Sequence, residues 1–242
     1  MRIPARTVFT FIVFGFCLLW LATGCRNAQQ TTPPSAPAPF STEWVSLFNG
    51  KNFDGWHCYG KESVGGWEIL ADGVMMGIGK GGDIVTDQAF DNFALQLEWK
   101  ISSEGNSGIF YHVVDDPEKY HSVYLTGPEY QLIDDEGWPG PLEEWQKTGS
   151  NYAMHLASAR PTKAVGEWNH SQIVVDGSRV EHWLNGQKIL AFESWTEDWQ
   201  QRVANSKWKD TPDYGLARSG SIALQDHGDT ILFRNIQIRA LR

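Results

Sequence analysis

Apolar and polar residues alternate with a period of two through much of the chain after position 43. The clearest example is the segment 93–101, FALQLEWKI, in which every odd-numbered residue is apolar and three of the four even-numbered residues are polar. Such alternation is typical of a β-strand with one buried face. Segments 106–114 and 127–135 repeat the pattern, and their polar rows contain Asn, Glu, Gln and His. We therefore predict three successive strands whose polar rows contribute to a binding site.

The segment 220–239, GSIALQDHGDTILFRNIQIR, predicts two more strands around a polar turn. Gly and Asp in that turn supply the backbone conformations that a tight hairpin needs, so we interpret the segment as a β-hairpin. Ile222 and Leu224 then face the core, whereas Gln225 and His227 face the opposite side. That second face is either an ordinary solvated surface or a ligand-binding one.

The rest of the chain predicts short strands and one helix. Shorter strands are expected within 44–56, 67–70, 73–76, 83–85, 151–156 and 167–175. Residues 179–192 predict a hairpin about the Asn185-Gly186 turn. Ser194 and Glu197 fit a helix capping box, and tryptophans follow at roughly helical spacing as far as residue 209. This pattern predicts an all-β sandwich of antiparallel sheets with one short helix.

The first 25 residues predict an export signal. Arg2 and Arg6 precede Val8–Leu21, an apolar run of 14 residues that is too short for an ordinary membrane span. The run ends in Leu-Ala-Thr-Gly-Cys, which resembles a bacterial lipobox and predicts cleavage before Cys25 and lipidation of that residue. Ordinary secretion with cleavage nearby is the alternative.

Three regions follow from this organisation: a signal at 1–25, a tether at 26–42 and a domain at 43–242. The tether is rich in Pro, Ala and Thr and is expected to be extended. The remaining length suits a single domain. We expect a protein held at the bacterial cell envelope by a lipid anchor alone, in the periplasm or on the outer surface.

Composition narrows the class of protein. Cys58 is the only cysteine of the predicted domain, so no intrachain disulfide is expected there, and Cys58 itself is expected to be a small buried residue. A net charge of −9 and the lack of a basic run argue against nucleic acid as a partner. Twelve tryptophans favour carbohydrate recognition, although we expect more than half of those in the domain to be core residues.

Several motifs in fixed order resemble one family. They are LFNGKNFDGW, LEWKISSEGNSGIFY, GPEYQLIDD, GEWN, LNGQK and the closing GSIALQDHG with FRNIQIR. The chain from residue 44 to 242 resembles the 3-keto-disaccharide hydrolase domain family. That resemblance implies a concanavalin-like jelly roll of two curved antiparallel sheets, with sugar held on the concave face.

The resemblance also implies a reaction. A ketone at C3 of a sugar acidifies the hydrogen at C2, so the glycosidic bond can break by elimination at C1 and C2, followed by addition of water. This route needs a general base near C2, a polarising group at the C3 oxygen and an acid for the leaving group. A sugar 3-dehydrogenase is the implied pathway partner that makes the ketone, and an oligosaccharide or glycoside is the implied substrate.

Site residues are carried over from the matching motifs. Glu129 is the expected general base or a ligand of a divalent metal, His227 is the expected acid or second ligand, and Asp134 is the third catalytic candidate. The expected substrate-binding residues are Glu98, Asn106, Ser107, His112, Gln131, Trp138, Trp145 and Gln225. Among these, the two tryptophans lie in the loop 136–150, a plausible rim or lid. A divalent metal is a possible cofactor, and His112 departs from the family pattern.

Two other functions compete with this interpretation. A non-catalytic carbohydrate-binding module is one alternative, because the implied fold is also a lectin fold and a fold does not fix function. An ordinary endo-glucanase is the other. Such enzymes carry an E-x-D-x-x-E run on one strand, and this sequence has no such run.

Overall fold

A computed structural model describes residues 43–61 and 63–241. The strands are β1 (Val45–Ser46), β2 (Trp56–Cys58), β3 (Trp67–Ile69), β4 (Met75–Gly77), β5 (Ile84–Phe90), β6 (Phe93–Ile101), β7 (Asn106–Val113), β8 (Glu129–Ile133), β9 (Asn169–Asp176), β10 (Arg179–Leu184), β11 (Gln187–Glu193), β12 (Gly220–Leu224) and β13 (Ile231–Ala240). One α-helix, α1 (Glu197–Asn205), and short 3-10 turns at Val123–Leu125, Glu144–Gln146 and Lys207–Asp210 complete the described part.

The strands form two antiparallel sheets. The eight-stranded sheet has the order β11-β10-β9-β6-β13-β4-β3, with β1 also paired to β13. The five-stranded sheet has the order β2-β5-β12-β7-β8. This confirms the expected all-β, concanavalin-like jelly-roll sandwich of two antiparallel sheets with one short helix.

The main core lies between the two sheets. Leu97 and Trp99 enter it from β6, while Ile109, Leu132 and Ile222 enter it from the five-stranded sheet, and all of them are essentially inaccessible to solvent. They occupy alternate positions of their strands, so the period of two seen in the sequence marks the inward faces. Removing this apolar surface from water is the main driving force for folding.

The hairpin predicted for 220–239 is wrong. β12 pairs with β5 and β7 in one sheet, whereas β13 pairs with β6, β4 and β1 in the other. The chain between them crosses from sheet to sheet. Alternation indicates which side of a strand is buried, but it carries no information about which strand lies alongside. For the same reason β6 is not a neighbour of β7, and its polar row lies on the other sheet.

Two local predictions also need correction, and one is confirmed. Residues 151–156 form isolated bridges and turns in place of a strand. The helix N-cap is Thr196 and not Ser194, because the Thr196 hydroxyl accepts a hydrogen bond from the main-chain N–H of Trp199 at 3.2 Å. The turn between β10 and β11 is confirmed, with Asn185 and Gly186 both at positive φ, 47° and 83°.

Two compositional expectations, the burial of Cys58 and of most tryptophans, are confirmed. Cys58 is buried and free. More than half of the domain's tryptophans are buried, namely Trp56, Trp67, Trp99, Trp183, Trp199 and Trp208. The predicted signal, the tether and Cys25 lie outside the described residues. Within 43–61 and 63–241, no helix is both long and apolar enough to cross a membrane.

A matched pair of leucines tests the assignment of the core. Leu97→Ala should lower the free energy of unfolding by roughly 3–5 kcal/mol, because it leaves a cavity between the sheets. Leu216→Ala should change it by less than about 0.5 kcal/mol, because Leu216 is 57% exposed. Urea denaturation followed by tryptophan fluorescence measures both values. Equal losses in the two variants would contradict the assignment.

Candidate active site

A pocket lies on the face of the five-stranded sheet that points away from the main core. On adjacent strands β7 and β8, Gly108 pairs with Gln131, and Phe110 pairs with Glu129. The pocket has a volume of about 180 Å³ and is lined by Asn106, Tyr124, Glu129, Gln131, Tyr152, Lys207, Trp208, Gln225 and His227. Four of the sequence-predicted residues other than Glu129 are thus brought together with it: Asn106, Gln131, Gln225 and His227.

Glu129 lies at the base of this pocket with its carboxylate over Gly108. A Cβ atom on residue 108 would be only 2.4 Å from Glu129 Oε1, so the space for the carboxylate exists because residue 108 is glycine. The side chain is 5% exposed. Within the described part of the chain, no group donates a hydrogen bond to its carboxylate and no cation forms an ion pair with it.

Burial raises the pKa of the Glu129 carboxyl to about 8, because the ionised form loses its hydration. The nearby Lys207 ammonium opposes this shift, and Asp83 adds to it. Burial likewise lowers the pKa of Lys207, and the charge of Glu129 counteracts that. A carboxyl with a pKa near neutrality can exchange a proton with a substrate at physiological pH.

Amide groups surround Glu129. Gln131 donates from Nε2 to Asn106 Oδ1 at 3.2 Å, and Asn106 Nδ2 lies 3.3 Å from His227 Nε2. Because an amide nitrogen can only donate, His227 Nε2 accepts in this arrangement. Gln131 Oε1 and Gln225 Oε1 are buried without a partner. Buried acceptors without donors are costly in an empty site and suit a ligand that presents hydroxyl groups.

Main-chain hydrogen bonds hold the segment that carries Gln225 and His227. Asp226 Oδ2 accepts from the N–H groups of Gly81 and Gly82 at 2.6 and 2.7 Å. Asp229 Oδ2 accepts from the N–H of Asn106 at 3.0 Å. The crossing between β12 and β13 is therefore fixed to β7 and to the loop before β5.

The sequence analysis missed the opposite wall of the pocket. Tyr124, Tyr152, Lys207 and Trp208 form it, and they come from turns and not from strands. Lys207 Nζ lies 4.3 Å from the ring centroid of Tyr152 and 4.4 Å from that of Trp208. The sequence signal for this wall is the segment 207–209, KWK, which the spacing of the tryptophans places at the end of the predicted helix.

The two predicted rim tryptophans lie near the pocket but outside its lining. The Trp138 ring meets the His227 ring edge-on with centroids 6.5 Å apart. The Trp145 ring packs edge-on against Tyr152 at 5.1 Å. Trp138 thus contacts the lining residue His227, and Trp145 contacts the lining residue Tyr152.

Glu98 and Ser107 do not line the expected face. Glu98 is on β6 in the other sheet, where its Oε2 accepts hydrogen bonds from Arg234 Nε at 2.6 Å and Asn235 Nδ2 at 2.7 Å. Partial burial raises the pKa of Glu98, but the hydrogen bonds from Arg234 and Asn235 and the charge of Arg234 lower it, and the net pKa is below the usual value. Ser107 has the opposite parity from Asn106, and its hydroxyl donates to the main-chain carbonyl of Gln225 at 2.9 Å. Ser107 therefore holds the main chain at Gln225 and does not line the pocket.

His112 and Asp134 are also outside the pocket. A one-residue bulge in β7 changes the strand parity, and His112 has φ of 54°. Its ring stacks near Trp195, and its Nε2 lies 2.8 Å from the main-chain oxygen of Asp91. The Asp134 carboxylate accepts from the N–H groups of Glu104, Glu136 and Gly137. Asp134 therefore caps two turns and is not among the residues that line the pocket with Glu129.

The donor set is a poor match for a divalent metal. Glu129 and His227 supply one carboxylate and one imidazole, and Lys207 places a positive charge in the same pocket. Among the residues that the structure describes, no group of three or more His, Cys, Asp or Glu side chains is arranged to hold a metal ion. We therefore derive no step that passes through a metal.

The two-sheet fold and a pocket that joins a buried carboxyl to amides and aromatic rings define a carbohydrate-active β-sandwich. Residues 43–239 match the model of the 3-keto-alpha-glucoside-1,2-lyase-like domain, and the chain belongs to this family. It is 32% identical over 228 residues to a 3-keto-disaccharide hydrolase of Bacteroides thetaiotaomicron, across 82% of this chain and 78% of that protein.

Solved structures show the same relationship. A crystal structure described as a glycosyl hydrolase of Parabacteroides distasonis is 43% identical, with a TM-score of 0.78, and covers 82% of this chain and 94% of its own. A second such structure from that organism is 29% identical with a TM-score of 0.66, covering 83% and 100% of the two chains. The carbohydrate-binding module CBM66 of Bacillus subtilis, 13% identical with a TM-score of 0.50 over 77% and 96%, shares the fold.

The raised pKa of Glu129 predicts a pH-dependent stability. An unfolded carboxyl ionises near pH 4.5 and the folded one near pH 8, so unfolding releases a proton between these values and stability falls as pH rises. Glu129→Gln should remove that cost and raise the free energy of unfolding by roughly 1–3 kcal/mol at pH 8.5, with little effect at pH 4.

Chemical denaturation of both proteins at the two pH values measures the effect. Glu136→Gln is the control, because it changes an exposed carboxyl. A stability difference for Glu129→Gln that does not vary with pH would contradict the raised pKa.

Proposed function

We propose that this protein cleaves the glycosidic bond of 3-keto-glycosides, including 3-keto-disaccharides, by elimination at C1 and C2 followed by hydration. The observation that carries the proposal is the Glu129 carboxyl, buried without a hydrogen-bond donor and with its pKa raised to about 8. Family membership and the glycoside-cleaving relatives support the same reaction class.

Glu129 acts as the general base in this proposal. Its carboxylate removes the hydrogen from C2, and the electron pair forms a C2–C3 double bond with negative charge on the C3 oxygen. The electron pair on the C3 oxygen then re-forms the ketone. The electrons of the C2–C3 double bond form a C1–C2 double bond, and the bond between C1 and the leaving oxygen breaks. The leaving oxygen takes a proton, with His227 as the candidate donor once the imidazole is protonated. Water adds at C1 and a proton returns to C2, which restores the 3-keto sugar.

The amides of the pocket bind and orient the sugar. Gln131 Oε1 and Gln225 Oε1 each have an unfilled acceptor position, so they accept hydrogen bonds from sugar hydroxyls. A volume of about 180 Å³ is close to that of one sugar ring, so in this proposal the pocket holds the 3-keto ring and the leaving group lies outside it. Binding the ring in one orientation places C2 near Glu129, and such positioning accounts for much of the rate enhancement of enzymes.

The chemistry places the protein after an oxidation. A sugar 3-dehydrogenase must supply the ketone, and a reductase must consume the 3-keto product. We propose that these steps meet at the cell envelope, with the predicted lipid anchor at Cys25 and the tether 26–42 presenting the domain. This location rests on the sequence signal alone.

A carbohydrate-binding module is the second candidate function. The unpartnered amide oxygens and the aromatic wall are features that such a module also needs. A module has no need for a buried carboxyl of raised pKa, whereas a proton-abstracting enzyme does.

A direct assay separates these functions. Wild-type protein should cleave 3-keto-trehalose or 4-nitrophenyl 3-keto-glucoside but not the unoxidised parent, and kcat/KM should rise with pH as Glu129 ionises near pH 8. Glu129→Gln should lower kcat by about 10³-fold or more. Release of reducing sugar or nitrophenol measures the rate, and a parallel series with chelator tests for a metal.

Each other result has a definite meaning. Cleavage of the unoxidised parent would favour ordinary glycosidase chemistry. Binding of the 3-keto sugar without turnover would favour the binding module.

Gly108→Ala offers a test of geometry without changing any ionisable group. Its methyl group would collide with Glu129 Oε1 and force the carboxylate away from its position, so kcat/KM should fall by about 10²-fold. Gly140→Ala is the matched control, because a Cβ atom at position 140 meets nothing within 4 Å. Full activity of Gly108→Ala in a folded protein would exclude this placement of the base.

A further inference from the structure

Lys207 is held in an unusual way. Its ammonium lies against two aromatic rings, 4.3 Å from the centroid of Tyr152 and 4.4 Å from that of Trp208. Attraction between a cation and the faces of aromatic rings stabilises this position. Trp208 Nε1 donates to the main-chain oxygen of Tyr152 at 3.1 Å, which fixes the Trp208 ring next to Tyr152. The amine therefore has a fixed location while its N–H groups remain available.

Two of the other lysines that lie against aromatic rings also carry ion pairs. Lys119 is over the Tyr120 ring and pairs with Asp213 at 3.1 Å. Lys188 is over the Trp183 ring and pairs with Glu181 at 3.2 Å. Among the described residues, Lys100 lies over the Trp168 ring without an ion pair, but it does not line the pocket. Within 43–61 and 63–241, no carboxylate pairs with Lys207 and no acceptor takes its hydrogens, and Lys207 does line the pocket that contains Glu129.

Glu129 and Lys207 line the same pocket. The charge of each group shifts the pKa of the other, yet no ion pair joins them among the described residues. A direct ion pair would neutralise both groups. Without one, a base and a cation are both available to a molecule bound in this pocket.

Removal of the C2 hydrogen creates negative charge on the C3 oxygen, and that charge needs a donor. One amide hydrogen of Asn106 Nδ2 is directed at His227, and one of Gln131 Nε2 is directed at Asn106. The free atoms Gln131 Oε1 and Gln225 Oε1 are acceptors and would repel the charge. Lys207 is the only Lys or Arg among the residues that line the pocket.

We propose that Lys207 is a catalytic residue whose ammonium binds the C3 ketone oxygen and stabilises the enolate formed when Glu129 removes the C2 hydrogen. This role rests on the proposed function. It accounts for the presence of both groups in one pocket and for the absence of a competing carboxylate at the described residues around Lys207. A cation that binds the C3 oxygen stabilises the negative charge that develops there.

Two probes isolate the step in which Lys207 acts. The first is 1,5-anhydro-3-keto-glucitol, which has no leaving group at C1, so exchange of its C2 hydrogen in D2O reports proton removal alone. The second is 4-nitrophenyl 3-keto-glucoside, which reports complete cleavage. NMR follows the first and absorbance the second, across a pH series, for wild type, Lys207→Met, Lys207→Arg and Lys209→Met. Lys209 lies in the same turn, is exposed and does not line the pocket.

Lys207→Met should lower the maximal rates of both exchange and cleavage by about 10²–10³-fold. Lys207→Arg should recover part of the loss, because it keeps the charge, and Lys209→Met should match wild type. The wild-type rate should also fall again at alkaline pH, where Lys207 loses its proton, and Lys207→Met should lack that fall. Circular dichroism and thermal melting verify that each variant is folded.

Three results would overturn the proposed role of Lys207 but not the proposed function. Normal exchange with lost cleavage would make Lys207 the acid for the leaving group. A profile shifted to higher pH with full maximal rates would mean that Lys207 only lowers the pKa of Glu129. Unchanged rates would exclude any part in the reaction. If wild type neither exchanges nor cleaves, the proposed function fails and the role of Lys207 fails with it.

Discussion

The candidate site depends on the way in which the chain crosses between the two sheets. Between Leu224 and Ile231 the backbone leaves one sheet and enters the other, and two aspartates hold this crossing by accepting hydrogen bonds from main-chain N–H groups. The Asp226 carboxylate reaches the glycine-rich loop before β5, and the Asp229 carboxylate reaches the first residue of β7. Gln225 and His227 are placed beside Glu129 as a result. Without these hydrogen bonds, Gln225 and His227, which follow β12, would not be held beside Glu129.

The same burial that stabilises the sandwich gives the site its chemistry. Glu98 and Glu181 are held by cationic partners, and their pKa values are lowered despite partial burial. Glu129 is about as inaccessible to solvent as Glu181, but it has no such partner, and its pKa is raised. A buried carboxyl of this kind costs free energy, and such groups occur more often at functional sites than elsewhere. The presence or absence of a cationic partner is what separates Glu129, the proposed base, from the other two glutamates.

Much of the fold could be predicted from the sequence, because alternation of apolar residues reflects burial directly. Strands such as 93–101 and the Asn-Gly turn at 185–186 follow from local rules. Strand partners do not, because pairing is decided by the packing of the whole chain. That is why the segment 220–239 was taken for a hairpin and why Glu98 was assigned to the wrong sheet.

The candidate site was predicted in part for a similar reason. Glu129, Gln131, Asn106, Gln225 and His227 were found through motifs that resemble a family. His112 was misplaced because a bulge in β7 reverses the strand parity, which no periodicity shows in advance. Lys207 was missed because it reaches the pocket from a turn after α1, so its sequence neighbours carry no sign of Glu129.

Glu129 and the residues of the aromatic wall come from separate parts of the chain, and this has an evolutionary consequence. Substitutions of Tyr124, Tyr152 or Trp208 can change the shape of the aromatic wall while Glu129 on β8 and Lys207 keep their proposed roles, so a new substrate preference can arise without loss of the reaction.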